Sequence, residues 1–184
     1  MTLIPTCPHG AGRRPSRRSV IAGLSAAAVV PAATSPVVAG AAPDDERFMR
    51  LAIEQARRAD FPFGAVIVRD GKAIARGRNL GRITDDPTAH GEMVAIRRCI
   101  AGHGSKAMKG ATLYTSGEPC VMCMGAILWC GFGRLVYAVS VAQIASKMNQ
   151  IMATSAEIAA KAPFSHIAIT GGVLADEAMK LFGT

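Results

Sequence analysis

Aromatic side chains are scarce in this chain of 184 residues, which holds one Trp, two Tyr and six Phe. Proteins that grip single-stranded nucleic acid stack bases on aromatics within a basic groove, so this shortage argues against that class. Basic charge is also less abundant than it looks. The net charge is +8, but residues 1–41 carry Arg13, Arg14, Arg17 and Arg18 with no acid, which leaves +4 for residues 42–184. Long apolar runs are missing too. The stretch Val20–Val30 has 11 residues and is followed by Pro31 and Pro36, whereas a spanning helix needs about 20, so no permanent membrane span is expected. No internal repeat is present, and no Asp or Glu occurs from Ala138 to Ala156.

What the N-terminal region does have is an order. Four arginines come first, then the uncharged run Ser19–Pro43, rich in Ala, Val, Gly and Ser, with Ala39-Gly40-Ala41 as a small-x-small processing site. This is the layout of a secretory leader. Ser16-Arg17-Arg18-Ser19-Val20-Ile21 further resembles the bacterial twin-arginine export signal. A membrane anchor fits less well because the apolar stretch is short. An organellar transit peptide fits less well because the arginines cluster ahead of that stretch. The expectation is an export signal over residues 1–41, removed from a periplasmic domain of residues 42–184. Export bears on the cysteines, since a disulfide between Cys120 and Cys123 could not ligate a metal. A twin-arginine route implies folding and metal loading before export and would protect both thiolates.

Residues Asp44–Asp60 read as an amphipathic helix, with Asp44 as cap and Phe48, Leu51, Ala52, Ile53 and Ala56 on its apolar face. Phe63–Arg69 and Lys72–Asn79 are strand candidates joined by the hairpin signal Asp70-Gly71. A helix follows from about Thr88 to Ala101, then a strand at Ala111–Thr115, a helix ended by Gly131 and Gly133, and a strand at Arg134–Val139. Val141–Lys161 is helical in pattern, His166–Thr170 is a fifth strand, and Asp176 caps a short closing helix. Alternating strands and helices after an initial hairpin predict an α/β fold: a five-stranded mixed sheet in a three-layer α/β/α sandwich. Cys99 and Cys130 lie in apolar helical settings, where a buried thiol is the default.

Two stretches carry chemistry. In Glu118-Pro119-Cys120-Val121-Met122-Cys123, Pro119 suits a first helical turn, so that Cys120 and Cys123 lie three apart at the positive end of a helix, where thiolates are favoured. In Thr88-Ala89-His90-Gly91-Glu92, His90 and Glu92 stand about 200° apart around a helix axis and can share a site only beyond its tip. The two together require two helix N-termini aimed at one metal. Three protein ligands leave zinc a fourth position, the arrangement of catalytic rather than structural sites. Glu92, bound to no metal, can carry protons. A lone C-x-x-C is more often a redox pair or half of a structural zinc site, and a lone His is usually a satisfied polar group. The combined spacing favours the catalytic reading.

That spacing, H-x-E…P-C-x-x-C, resembles the zinc-dependent cytidine/deoxycytidylate deaminase superfamily. The likeness runs from about Phe61 to Leu181 and is nearest in motif to bacterial guanine deaminases and tRNA adenosine deaminases. It implies His90, Cys120 and Cys123 as Zn²⁺ ligands, Glu92 as proton shuttle, Asn79 as a polar contact to the base and Phe63 as a pocket wall. The lesser alternative for Asn79 is to serve a turn, whereas Phe63 is as readily core as pocket wall. Trp129, some 240° around the helix from Cys123, faces away from the ligands and is expected in the core or at a subunit contact. Gly91 stands where the resemblance leads one to expect alanine, and glycine there loosens a helix start.

Substrate is read from weaker signals. The spacing of Phe63, Asn79 and His90, and the place of Trp129, resemble guanine deaminases, against which stand the missing carboxylate between Ala138 and Ala156 and the chain's end at Thr184. Glu118–Cys123 and Gly172-Val173-Leu174-Ala175-Asp176-Glu177 favour a tRNA adenosine deaminase. Against that reading stand an exported address and no basic C-terminal helix. The expectation is hydrolytic deamination of a free base or nucleoside, best guanine or a related purine, with nucleic acid an unlikely partner and a homodimer implied by the family. The alternatives are a tRNA adenosine deaminase or a catalytically silent, zinc-structured base-binding module.

Overall fold

A computed structural model of the chain describes residues 42–183. The expected export signal at residues 1–41 lies outside the described residues.

The elements are α1 (Asp45–Arg57), β1 (Gly64–Arg69), β2 (Lys72–Arg78), α2 (Gly91–His103), β3 (Thr112–Gly117), α3 (Val121–Cys130), β4 (Arg134–Val139), α4 (Val141–Ala145), α5 (Ser155–Ala160), β5 (Ala168–Thr170) and α6 (Ala175–Met179). The sheet order is β2-β1-β3-β4-β5. β1 pairs antiparallel with both β2 and β3, whereas β3, β4 and β5 run parallel to one another. The expected five-stranded mixed sheet is the one observed.

Strand alternation makes the three layers. Ala65 and Ile67 of β1, Leu113 of β3 and Leu135 of β4 face a core closed by α2, α3 and α5. Val66, Val68, Tyr114 and Val136, their sequence neighbours, face a second core closed by α1, α4 and α6. Every central strand is thus apolar on both faces, which explains its continuous hydrophobic run. The β1–β2 hairpin turns at Asp70 and Gly71 with φ of 49° and 70°, the left-handed pair that a two-residue turn needs.

One polar network fastens α1 to the sheet. Arg134 donates two hydrogen bonds of 2.7 Å to the Asp45 carboxylate, which also accepts from the Tyr114 hydroxyl at 2.8 Å and from the Ala42 N–H at 2.6 Å. Asp44, the expected cap, makes no capping bond; its carboxylate pairs with Arg47 at the surface.

Three further expectations change. α2 begins at Gly91 rather than Thr88, whose N–H and hydroxyl are both held by Asp86. Val141–Lys161 contains two short helices rather than one helical stretch. The closing helix starts from Leu174, which has φ of 57°, and Asp176 lies in its first turn rather than at its cap.

Candidate active site

The strand ends gather the site on one edge of the sheet. Register pairs Gly64 of β1 with Arg78 of β2, Ala65 with Thr115 of β3, and Gly117 with Val139 of β4. The residues just outside these ends therefore converge: Phe63 before β1, Asn79 after β2, and Glu118 and Cys120 after β3. In open α/β sheets the crevice beyond the carboxyl ends of the strands is where ligands bind.

Two helix starts meet there, and each opens on a side chain able to bind a metal. His90 precedes α2 in extended backbone (φ −64°, ψ 158°), and Cys120 precedes α3 likewise (φ −65°, ψ 170°). Pro119 therefore sits outside the helix rather than in its first turn, and Cys120 is the cap rather than a helical residue. Cys123 lies within the first turn of α3 and is fully buried.

The approach of α2 depends on two glycines. A Cβ on Gly77 of β2 would run into the Gly91 carbonyl and the Ala95 amide, and a Cβ on Gly91 would lie 2.8 Å from the Phe63 carbonyl oxygen. Gly91, expected to loosen the helix, instead lets its first turn rest against the backbone that carries Phe63.

Nδ1 of His90 lies 3.6 Å from each of the two sulfurs. The three ligand atoms are within 4.8 Å of one another, and among the described residues no other group of His, Cys, Asp or Glu of three or more converges in this way. Zinc bonds of about 2.3 Å to sulfur and about 2.0–2.1 Å to nitrogen, meeting at a tetrahedral angle, put nitrogen and sulfur about 3.6 Å apart. The donor chemistry agrees. A hydrogen bond from the Cys123 thiol, with a further contribution from the His90 ring, outweighs burial and draws Cys120 down to about 4, well inside the thiolate range. Cys123 is shifted upward as the proton-holding partner of that pair. His90 is raised chiefly by its hydrogen bond to Cys120.

Glu92, the second residue of α2, is only 5 % exposed and is not part of the ligand trio. Burial pushes its carboxyl up to about 7 against the favourable pull of its own backbone N–H. A buried acid poised near neutrality is suited to taking and giving protons.

A cavity of about 430 Å³ opens over these groups, within the range of small-molecule sites. Phe61, Phe63, Pro87 and Met122 supply apolar lining, Asn79 and Glu118 supply buried polar groups, and Met148, Asn149, Gln150 and Ile151 form the outer wall. Asn79 is 4 % exposed, and its side-chain oxygen accepts the Gly81 N–H at 3.0 Å. Only the oxygen can serve that donor, so the amide NH₂ is left for the cavity. Phe63 packs edge-on against Phe182 at 5.4 Å, and Gly117 makes room for it, because a Cβ there would touch the ring at 3.1 Å.

Phe63, Asn79, His90, Glu92 and Cys120 thus line one cavity, and the fully buried Cys123 joins them only through its approach to His90 and Cys120. A model of the cytidine and deoxycytidylate deaminase zinc-binding region matches residues 42–139. The chain belongs to that family. Zinc is accordingly the metal for which the His90, Cys120 and Cys123 trio is positioned.

Within the deaminase family the similarities divide. A guanine deaminase of Bacillus subtilis is 49 % identical over 77 residues, covering 42 % of this chain and 49 % of that one. A tRNA-specific adenosine deaminase of Agrobacterium fabrum is 44 % identical over 94 residues, covering 49 % and 62 %. The chain thus spans about half to three fifths of the length of these relatives. Among solved structures, the guanine deaminase from Nitrosomonas europaea superposes with a TM-score of 0.67 at 28 % identity, over 80 % of this chain and 85 % of that one. A structure from studies of tRNA:A34 deaminases gives 0.64 at 31 % identity, over 73 % and 98 %.

Three features of the site were not assigned from sequence. Glu118 stands in the sequence only as a neighbour of the cysteine motif, the wall at Met148–Ile151 carries no chemical signal there, and Phe182 is brought to Phe63 only by the fold. Trp129 is neither in the core nor in the cavity. It is 79 % exposed and stacks on Phe164 at 4.6 Å.

Proposed function

We propose that this deaminase hydrolyses the exocyclic amine of a small heterocycle, with guanine or a related purine base as the favoured substrate. Water's oxygen replaces the amine on the ring carbon, and ammonia leaves. The observation that carries this reading is the meeting, in one small cavity, of the metal-binding trio, a buried carboxyl near neutral pKa and an amide donor with a fixed orientation.

His90, Cys120 and Cys123 would hold zinc, which would supply Lewis acidity towards water near neutral pH. Glu92 takes a proton from that water, passes it to a ring nitrogen and then delivers one to the departing amine. Burial raises this carboxyl's hold on a proton, which suits it to both transfers. Asn79 donates its NH₂ to an acceptor on the ring, such as a ring nitrogen or carbonyl oxygen, and so sets which carbon faces the reactive centre. Phe63 offers a flat apolar wall, and the amides of Asn149 and Gln150 make the outer wall polar but uncharged.

The second reading, adenosine in tRNA, draws on the tRNA deaminase relatives. The net +4 of residues 42–184 and the small number of aromatics weigh against it. An ammonia-release screen of the zinc-loaded protein against guanine, adenine, cytosine, their nucleosides and a tRNA separates the two. Turnover of a free purine base is expected. Turnover of tRNA alone would reject the free-base reading, and tight base binding without ammonia would point to a silent binding module. We further propose that the protein is exported by the twin-arginine route and works in the periplasm, on the motif at residues 16–21.

A further inference from the structure

We propose that Glu118 is a positioning residue that sets the substrate wall against the metal centre. The inference rests on the deaminase reading of the cavity. Glu118 is only 6 % exposed and stands two residues before the metal ligand Cys120, just beyond the end of β3. Its own N–H donates to the Val139 carbonyl at 2.7 Å, which locks its backbone to the end of β4.

Its carboxylate is divided between two distant partners. One oxygen accepts the N–H of Val141 at 2.8 Å and the other accepts the N–H of Ser155 at 2.7 Å. Both donors are first residues of helices, α4 and α5. The first N–H groups of a helix have no partner within it. Each of these helices meets part of that need through a capping box, Ser140 with Gln143 and Thr154 with Glu157. A capping box satisfies the N-cap and third-position amides and leaves the first-position amide to something else. Here one buried carboxylate serves both.

The stretch between the two anchored points carries Met148, Asn149, Gln150 and Ile151, the outer wall of the cavity. No regular element covers residues 146–154. Glu118 therefore fixes both ends of the wall to the strand end that delivers Cys120. Charge-assisted hydrogen bonds hold it more firmly than neutral ones would. The wall moves with the metal site, and the substrate sits between them.

The test compares the wild-type full chain with Glu118→Gln and Glu118→Asp, all zinc-loaded. Glutamine keeps the size but turns an NH₂ toward one of the two amides. Aspartate keeps the charge but is too short to serve both. Zinc content at one ion per chain is expected in all three. For Glu118→Gln, KM for the best base of the screen should rise about tenfold with kcat changed by less than about threefold, the split that a loosened wall gives. Amide exchange at Val141 and Ser155 should quicken while Leu113 and Tyr114 in β3 stay protected. Glu118→Asp should restore part of both effects.

Unchanged KM and unchanged exchange in Glu118→Gln would overturn the proposal. So would a joint loss of zinc, kcat and β3 protection, because the residue would then act through the metal site or the fold as a whole. If the wild type releases ammonia from no base, the deaminase reading fails separately. The wall is then decided by exchange and by guanine binding to the zinc-loaded protein. Glu118→Gln must still quicken the first and weaken the second, or the proposal fails too.

Discussion

Glu92 shows how placement alone can set a proton's affinity. Its carboxyl lies in the first turn of α2, where the helix end favours negative charge, yet burial wins and lifts it to about 7. Replacing it by glutamine keeps the shape and removes the proton carrier. Glu92→Gln is expected to retain one zinc per chain and to lose kcat by about 10²–10⁴-fold, the usual worth of a placed acid–base group. Ammonia release measured beside metal content checks it, and undiminished turnover would reject the role given to Glu92. Cys120 makes the complementary case. The same kind of position, at the start of α3, holds a group drawn down to about 4, because its neighbours donate protons to it instead of only removing water.

At the scale of elements, the approach of α2 to the β1–β2 hairpin decides where His90 and Glu92 stand. Gly91→Ala sets two effects against each other. Alanine in place of glycine favours a helix by up to about 1 kcal/mol. A Cβ placed 2.8 Å from the Phe63 carbonyl must push backbone away, and overpacking of that kind costs about 1–3 kcal/mol. The clash should win, with a net loss of about 1 kcal/mol and weaker zinc retention. Urea unfolding with a chelator competition reads both, and a variant as stable as the wild type with equal metal affinity would refute the argument. The elements themselves were mostly legible. The hairpin was marked by Asp70-Gly71, which adopts the left-handed pair of φ values, and β4 has its expected limits at Arg134–Val139. What local pattern could not reveal is whatever is set from far along the chain. Val141–Lys161 reads as one helical stretch, but its two helix starts are held by a carboxylate 23 and 37 residues away. Gly91 likewise looks like a weak helix start until the Phe63 backbone is seen against it. The metal trio was legible because side-chain spacing carries it. The wall was not, because Met148–Ile151 matter through where Glu118 pins them.

For the molecule as a whole, two charge arrangements make separable predictions. In the first, burial raises the Asp45 carboxyl, but Arg134, the Ala42 N–H and the Tyr114 hydroxyl together outweigh it, and the net shift is downward from the ordinary 3.8. A depressed folded-state value means that the stabilisation is complete above the ordinary value and is lost as pH falls through the folded one. Asp45→Asn, which removes the carboxylate gripped by Arg134, should cost about 3–5 kcal/mol near neutral pH. The gap in melting temperature between wild type and variant should hold while pH stays above the ordinary carboxylate value of 3.8 and narrow as pH falls below it. A gap that widens with acid would show the sign to be wrong. The second arrangement is the four arginines of residues 1–41, which contribute half of the net charge and none of the described fold. If they form an address rather than a binding surface, the conservative pair Arg17→Lys and Arg18→Lys should leave charge, zinc content and deamination unchanged and abolish export. Twin-arginine recognition reads the guanidinium pair, whereas nucleic-acid attraction depends mainly on the number of positive charges. Fractionating a bacterium that expresses the full chain should place a shortened, zinc-loaded protein in the periplasm for the wild type and a full-length one in the cytoplasm for the double variant. Free thiols at Cys120 and Cys123 in the periplasmic protein would accord with loading before transport. Wild-type protein that stays full-length in the cytoplasm, or equal export of both chains, would reject the address and return weight to the tRNA reading.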